Sequence, residues 1–183
     1  YDQFYGCQKR GFSLVLDSLY RELDLHHCES VIDVGCGTGA LCSLMQQRGL
    51  KVTGVDQSEK MLSRARSKPE NQSIQFLRAN VLEGLPFKDK HFDLSIASYV
   101  AHGLTAAERK ILYAEMSRVS RHLVIIYDYN RNRSIITDLL EWLEGGDYFN
   151  FIRVAEEEFR ECFPRLRVQE VGIRSSWYAG YLS

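Results

Sequence analysis

The chain has 183 residues, of which 45 % are hydrophobic and 26 % are charged, as expected of one globular domain with its own core. Its formal net charge of −1 excludes a global positive field that would attract nucleic acid. No apolar run approaches the roughly 20 residues of a membrane span, and no signal peptide is visible, so we expect no membrane partner. The chain begins with Tyr1 rather than Met, so its natural N-terminus is unknown.

The sulfur and imidazole groups follow no metal-ligand pattern. The five cysteines are scattered and include no C-x-x-C pair, which predicts reduced thiols in a cytoplasmic protein. The adjacent residues His26, His27 and Cys28 point in different directions, and no spaced acid or cysteine completes a site around them. We therefore predict no metal site.

Residues 1–25 are predicted to form an amphipathic N-terminal helical cap. Apolar side chains recur there at helical spacing, at Phe12, Val15, Leu16, Leu19 and Leu23. An aromatic-rich stretch, residues 1–5, lies ahead of these positions.

A glycine loop follows the first predicted strand. Residues 31–34 read V-I-D-V, a buried strand end, and Gly35, Gly37 and Gly39 then alternate across a turn. Glycine reaches positive φ at little cost and lets a ligand approach the backbone. Apolar residues over 40–45 predict a helix, with Gly49 at its C-cap. In an open α/β sheet, this strand–loop–helix order marks the place where a nucleotide-like ligand binds.

A second strand, residues 51–56, ends in Asp56. A carboxylate at this strand tip, beside the glycine loop, is placed to accept hydrogen bonds from both hydroxyls of a ribose. Ser58 is predicted to cap a helix that reaches about Ser67. Residues 73–79 alternate as a third strand, with Asn80 at its tip.

The run V-I-D-V-G-C-G-T-G, together with Asp56, resembles the class I S-adenosylmethionine (SAM)-dependent methyltransferases, in particular the small soluble group that acts mostly on small molecules. The likeness covers about residues 1–128. The loop differs from the dinucleotide fingerprint G-x-G-x-x-G in the spacing at Thr38, which disfavours a pyrophosphate site. A nicotinamide-dependent enzyme or another nucleotide-binding α/β domain is the alternative interpretation of this loop.

The resemblance implies an α/β fold: a Rossmann-like, doubly wound, seven-stranded sheet, mostly parallel with one antiparallel strand near the C-terminus. It implies one domain over residues 1–183, with SAM as cofactor and S-adenosylhomocysteine as product. Asn80 stands where the family usually has Asp and keeps a carbonyl acceptor without the charge. The cofactor-binding residues carried over are Asp33, Gly35, Cys36, Gly37, Gly39, Asp56, Gln57, Asn80, Val81 and Ser98.

Two further motifs match the family around the fourth strand. Residues 85–87 read L-P-F and residues 92–94 read F-D-L, with Asp93 predicted to be structural. The motif N-P-P-Y is absent from the strand tip, which argues against enzymes that methylate amino groups of DNA bases or glutamine side chains. The family's usual K-P-G-G before the fifth strand is replaced here by Arg121 and His122.

Aromatic residues near the strand tips are predicted to line an acceptor pocket. They are Tyr5, Tyr99, Tyr127 and Tyr148, together with His102, and ordinary packing positions are the alternative. His102 is also the candidate general base, because imidazole changes its charge near neutral pH. Its alternative role is a structural hydrogen bond at a helix entry. Arg131 and Arg133 follow the fifth strand and are either solvated or placed to hold an acidic substrate.

The C-terminal half continues the alternation of helices and strands. Thr105 and Glu108 form a capping-box pattern for a helix reaching about Ser120, and residues 122–128 predict a central fifth strand. We then predict a helix over 134–143, an aromatic loop over 147–151, a charged helix over 156–163 and a hairpin of strands 166–171 and 177–182. In the resembled fold an insertion between the fifth strand and this hairpin often covers the acceptor, so residues 130–163 are predicted to be a lid insertion.

The predicted function is methyl transfer from SAM to a small soluble acceptor by in-line displacement. The sulfonium is a strong electrophile, so the protein mainly has to align it with the nucleophile. Methylation of a protein or of tRNA is one alternative, and a non-catalytic SAM-binding partner module is another. We expect a monomer or a dimer.

Overall fold

The computed structural model of the protein describes residues 2–132 and 146–182. In this part of the chain one sheet contains seven strands: β1 (Ser30–Val34), β2 (Lys51–Asp56), β3 (Gln75–Arg78), β4 (Phe92–Ser98), β5 (Ser120–Tyr129), β6 (Arg165–Glu170) and β7 (Ser175–Tyr181). Their order across the sheet is β3-β2-β1-β4-β5-β7-β6. Strands β1 to β5 pair in parallel, and β7 is antiparallel to both of its neighbours. The predicted fold class, with one antiparallel strand near the C-terminus, is confirmed.

The helices cover both faces of the sheet. They are α1 (Asp2–Glu22), α2 (Ala40–Gln47), α3 (Glu59–Arg66), α4 (Ala106–Val119) and α5 (Tyr148–Cys162). Successive residues of β5 alternate between two cores: Leu123 and Ile125 pack with side chains of α1 to α3, whereas Val124 and Ile126 pack with side chains of α4 and α5. Burial on both faces explains why β5 is almost continuously apolar.

Two predicted helix starts are confirmed in atomic detail. The hydroxyl of Ser58 accepts a hydrogen bond from the backbone N–H of Met61 and caps α3. At α4 the capping box is complete, since Thr105 accepts from the N–H of Glu108 and the Glu108 carboxylate accepts from the N–H of Thr105 at 2.8 Å. Each side chain satisfies a backbone donor that the first helical turn leaves without a partner.

The predicted aromatic loop over residues 147–151 is wrong. These residues lead directly into α5, which begins at Tyr148, eight residues before the predicted charged helix. The reason is a stripe at helical spacing, formed by Tyr148, Phe151, Ile152, Ala155 and Phe159, which is buried in the core shared with α4. The predicted helix over 134–143 lies outside the described residues. Among the residues described, none of the helices is both long enough and apolar enough to cross a membrane.

Candidate active site

The glycine loop connects β1 to α2 in a left-handed backbone conformation. Gly35, Gly37 and Gly39 have φ angles of 75°, 52° and 74°. The N–H groups of Gly35 and Cys36 donate to the carbonyl of Val55, at 2.8 and 3.0 Å, which fixes the loop to β2. A Cβ atom built on Gly35 would lie 2.4 Å from a methyl carbon of Val100. Glycine is therefore required at position 35 both by the backbone conformation and by the available space.

Asp56 closes this loop from the tip of β2. One carboxylate oxygen accepts from the N–H of Gly37 at 2.9 Å, and the other accepts from the N–H of Ser58 at 2.8 Å. Each oxygen keeps a second lone pair, so the carboxylate can accept further hydrogen bonds from a ligand. Asp56 lines a cavity of about 500 Å³ together with Gly35 and with the predicted binding residues Gln57, Asn80 and Val81.

Asn80 also has a local structural role at this cavity. Its carbonyl oxygen accepts from the N–H of Leu82 at 3.1 Å, and its amide nitrogen donates to Glu83 at 2.9 Å. The side chain thereby caps the short 3-10 turn Val81–Glu83. An amide can provide both contacts, whereas a carboxylate at this position could provide only the first.

A second, smaller cavity of about 190 Å³ lies on the other side of the glycine loop. Its lining includes four of the residues predicted to bind the cofactor, Asp33, Cys36, Gly37 and Ser98. Gly39 is not among the described lining residues; a Cβ there would meet the side chains of Asn71 and Phe76 instead.

Two buried polar atoms in this smaller cavity have no hydrogen-bond partner among the described residues: Oδ1 of Asp33 and the hydroxyl of Ser98. The other oxygen of Asp33 accepts from the Cys42 thiol at 3.1 Å. Burial raises the pKa of the Asp33 carboxyl to about 7; the Cys42 hydrogen bond lowers it and the nearby charge of Asp56 adds to the rise. Buried polar atoms are normally paired, so this pair points to a polar ligand group.

Helix α1 forms part of the smaller cavity, which the sequence did not predict residue by residue. Gln8 and Phe12 line it, and Gln8 accepts a hydrogen bond from the hydroxyl of Thr38 in the glycine loop at 3.2 Å. The two positions are four residues apart and therefore lie on one face of the helix. This spacing could have identified both as residues facing the glycine loop.

Gly35 and Tyr99 line both cavities, so the two form one cleft along the carboxyl ends of β1, β2 and β4. Tyr99 follows β4 directly and has a φ angle of 55°, uncommon for a residue with a side chain. Its hydroxyl lies 2.8 Å from the Ser175 hydroxyl and 3.2 Å from the Tyr127 hydroxyl. Burial raises the pKa of the Tyr99 phenol, so Tyr99 stays neutral and acts as a fixed wall between the cavities.

An aromatic cluster extends from Tyr99 along the rim of the sheet. The ring of Tyr129 lies 5.1 Å from that of Tyr99, 4.9 Å from that of His102 and 5.2 Å from that of Tyr148. Of the predicted acceptor residues, Tyr99, His102, Tyr127 and Tyr148 thus lie close together. Tyr129 was not predicted; two-residue spacing would put it on the same face as Tyr127, but Tyr127 packs in the core with α1 to α3 and Tyr129 packs against the core with α4 and α5.

Tyr5 lies elsewhere. Tyr5 belongs to α1, and its ring is buried. The ammonium groups of Lys9 and Lys68 lie 5.7 and 4.8 Å from the centroid of this ring. It is not among the described residues that line either part of the cleft. Its position is that of a packing residue, and its proposed contact with an acceptor stays a prediction that this geometry does not support.

His102 lies in the 3-10 turn Ala101–Gly103, and its side chain is fixed by Asp128. Nδ1 of His102 and Oδ1 of Asp128 are 2.7 Å apart, and the backbone N–H of His102 donates to the other carboxylate oxygen at 3.2 Å. The sequence analysis did not assign Asp128 a role, because its partner is 26 residues away in the chain. Within the described ranges no group of three or more His, Cys, Asp or Glu side chains could hold a metal ion.

Comparison with known families identifies the central half of the chain. Residues 31–122 match a family described as a methyltransferase domain. A phosphatidylethanolamine N-methyltransferase from Cereibacter sphaeroides is 35 % identical over 109 residues, which cover 56 % of this chain and 52 % of that protein. A malonyl-[acyl-carrier protein] O-methyltransferase from Hamiltonella defensa is 34 % identical over 91 residues, covering 50 % of this chain and 33 % of the relative. The chain thus spans about half or less of the length of these curated relatives.

Solved structures extend the likeness over nearly the whole chain at the level of fold. A magnesium protoporphyrin IX methyltransferase from Synechocystis, solved with bound S-adenosylhomocysteine, superposes with a TM-score of 0.67 at 19 % identity and covers 96 % of this chain and 84 % of its own. An O-methyltransferase family protein from Burkholderia thailandensis gives a TM-score of 0.75 at 16 % identity, over 100 % of this chain and 59 % of that one.

Proposed function

The chain belongs to the methyltransferase-domain family, in the class I SAM-dependent group, and we propose that it transfers a methyl group from SAM to a small acceptor molecule. The observation that carries the proposal is the divided cleft around the glycine loop. Its larger part contains a fixed carboxylate, Asp56, and its smaller part contains the unpaired polar atoms of Asp33 and Ser98. A ligand with a ribose at one end and a charged amino-acid group at the other matches this distribution of acceptors.

SAM, the cofactor of this family, supplies an electrophilic methyl group on a sulfonium when it is bound. We assign the ribose hydroxyls to Asp56 and the adenine ring to the wall formed by Asn80, Val81 and Leu82. The ammonium group is assigned to the smaller cavity, because the unpaired Oδ1 of Asp33 is a hydrogen-bond acceptor there. The residues present fit the cofactor at both ends.

The chain's own contribution to the reaction is alignment, with a base for acceptors that lose a proton. Tyr99 stands between the cleft and the aromatic rim and limits where an acceptor can enter. We propose His102 as the base, with its ring held in place by the contact between Nδ1 and Asp128. A hydroxyl acceptor loses its proton when it is methylated, and a base placed beside it can take that proton.

A small molecule is the proposed acceptor class. The net charge of −1 provides no global attraction for RNA, and the rim beside Tyr99 is aromatic rather than basic. A cytoplasmic location belongs to the same proposal; all five cysteines are free thiols in the structure. Methylation of a protein or tRNA and a non-catalytic SAM-binding module are the alternatives. The predicted lid over 130–163 stays a prediction, and its loop over 147–151 is replaced by the start of α5.

The test is the thermal unfolding midpoint of the protein with SAM, S-adenosylhomocysteine or NAD added separately. A ligand that binds only the folded state must raise the midpoint, by an amount that grows with its concentration over its dissociation constant. We expect a rise with the first two ligands and none with NAD. A rise with NAD alone would make the protein a nicotinamide-dependent enzyme, and no rise with any ligand would exclude cofactor binding by this cleft.

A further inference from the structure

A separate cavity of about 540 Å³ opens on the same side of the sheet, beyond the aromatic rim. The described residues that line it are Arg131, Phe149, Ile152 and Arg153. Its volume is in the range of small-ligand sites. Ile152 is buried and provides an apolar wall, whereas Phe149 and both arginines are exposed.

This cavity is connected to the cofactor cleft by a continuous series of aromatic rings. The centroids of Phe149 and Tyr148 are 5.1 Å apart, those of Tyr148 and Tyr129 are 5.2 Å apart, and those of Tyr129 and Tyr99 are 5.1 Å apart. Tyr99 lines the cleft, and Phe149 lines the arginine cavity. Tyr148 is 1 % exposed, so the rings pack against one another rather than forming an open channel, and they place the arginine cavity three ring contacts away from Tyr99 in the cleft.

The two arginines come together with no acidic partner among residues 2–132 and 146–182. A guanidinium nitrogen of Arg131 donates to the backbone carbonyl of Arg153 at 3.3 Å, which places this cation against the helix turn that carries the second one. In the described part of the chain no Asp or Glu oxygen lies within 4.0 Å of either guanidinium. By contrast, Arg160 on the same helix pairs with Glu156 at 2.7 Å. Two like charges beside an apolar wall are stabilised by an anion between them.

We propose that this cavity binds the anionic group of the methyl acceptor, and that the acceptor is therefore a small acid with an apolar or aromatic body. The inference rests on the proposed function, because only an enzyme of that kind has an acceptor. A carboxylate, phosphate or sulfonate presents two acceptor oxygens on one central atom, and such a pair matches the N–H fork of a guanidinium. Phe149 and Ile152 line the cavity and contact the apolar body of the ligand.

Two fluorescent probes that differ only in their charge test the proposal. Anilinonaphthalene sulfonate carries an anionic group on an aromatic body, and phenylnaphthylamine has the same body without the sulfonate. Both are titrated into the wild-type protein loaded with S-adenosylhomocysteine. We expect the anionic probe to bind at least about tenfold more tightly than the neutral one, and to bind while the cofactor product occupies the cleft. Equal affinities, or displacement of the anionic probe by S-adenosylhomocysteine, would overturn the proposal.

Variants of the two arginines test whether the anionic probe binds in this cavity. Arg131→Gln and Arg153→Gln should each weaken anionic-probe binding about three- to fivefold, and the double variant about tenfold or more, the range expected for exposed ion pairs. Neutral-probe binding should not change. Arg160→Gln on the same helix is the matched control and should leave both probes unaffected. Unchanged anionic-probe affinity in the double variant would also overturn the proposal.

The two hypotheses fail in different ways. If S-adenosylhomocysteine does not raise the unfolding midpoint of the wild-type protein, the proposed function itself is wrong. If it raises the midpoint of the wild type and of the double variant equally, the variants are folded and the cofactor cleft is intact. A loss of probe binding in such variants then reports on the arginine cavity alone.

Discussion

Nδ1 of His102 lies 2.7 Å from Oδ1 of Asp128, and this contact joins the turn after β4 to the end of β5. The same carboxylate accepts from the backbone N–H groups of His102 and Tyr129, at 3.2 and 2.8 Å. Asp128 is fully buried. Two backbone N–H groups donate to this carboxylate, and we infer that Nδ1 of His102 donates to it as well and therefore carries a proton.

Nuclear magnetic resonance can test this assignment without an acceptor. Long-range correlations between ring nitrogens and ring protons should identify His102 as the Nδ1–H tautomer in the wild-type protein. Asp128→Asn presents an N–H₂ group to three donors and should shift His102 toward the Nε2–H tautomer, because Nδ1 can then accept from the amide. A wild-type protein with the Nε2–H tautomer would contradict the role of Asp128.

A matched control lies at the amino-terminal end of β4, the strand next to β5. Asp93 also accepts from two backbone N–H groups, those of Glu29 and Ser30, both at 2.9 Å, and it pairs with Arg121. Asp93→Asn should lower stability, because it replaces an oxygen acceptor with an N–H₂ group beside these donors. It should leave the His102 tautomer unchanged. A tautomer shift in this control would indicate that the readout follows general destabilisation rather than Asp128.

Burial of Asp33 makes stability depend on pH in an unusual direction for a carboxylate. Burial raises its pKa from an ordinary value of 3.8 to about 7, so the folded state holds a proton that the unfolded state has already lost. Stability therefore falls as pH rises from about 4 to 7. Relative to Asp33→Asn, the wild-type protein should lose about 2.5 kcal/mol between pH 5 and pH 8.

Urea unfolding at the two pH values measures this difference directly. Because other titrating groups are shared by both proteins, their contributions cancel when the variant is subtracted from the wild type. Asp89→Asn, at a side chain that is 75 % exposed, should show no such pH-dependent difference. A constant difference between wild type and Asp33→Asn across this range would mean that Asp33 is ionised throughout.

Removal of the Asp56 carboxylate should weaken cofactor binding. Asp56→Ala deletes the acceptors assigned to the ribose and also releases the N–H of Gly37, so we expect the affinity for S-adenosylhomocysteine to fall by about 1–3 kcal/mol in titration calorimetry. The exposed Asp24→Ala is the control and should bind as the wild type does. Wild-type affinity in Asp56→Ala would refute the ribose assignment.

Arg109 should be a major contributor to stability. Its side chain is fully buried and donates to Glu158, Asp147 and the carbonyl of Leu104 at 2.6 to 2.8 Å, which ties α4 to the start of α5. Arg109→Met leaves two carboxylates without their partner and should cost about 3–5 kcal/mol in urea unfolding.

The control for Arg109 is an exposed pair. Arg160→Met breaks the ion pair between Arg160, which is 65 % exposed, and Glu156, which is 43 % exposed. This substitution should lower the free energy of unfolding by less than about 1 kcal/mol. If both substitutions cost the same, the buried network is not what holds α5 against α4.

Local sequence patterns predicted the elements whose hydrogen-bond partners lie within a few residues of each other in the chain. The cap at Ser58 and the capping box at Thr105 are complete within three residues, so the chain order alone identified them. The glycines and Asp56 were recognisable because a tight loop beside a strand tip needs those residue types. The aromatic residues at 147–151 were misassigned, since their helical stripe is meaningful only with α4 packed against it.

The sequence by itself determined the class of fold, the family and the glycine loop after β1, because strand, glycine loop and helix are contiguous and each requires particular side chains. Only the tertiary structure decided which distant groups meet. The pairing of His102 with Asp128, the cluster around Tyr129 and the approach of Arg131 to Arg153 all join residues from different elements. Such contacts depend on how parallel strands align their ends and how α5 packs on the sheet, which no local spacing specifies.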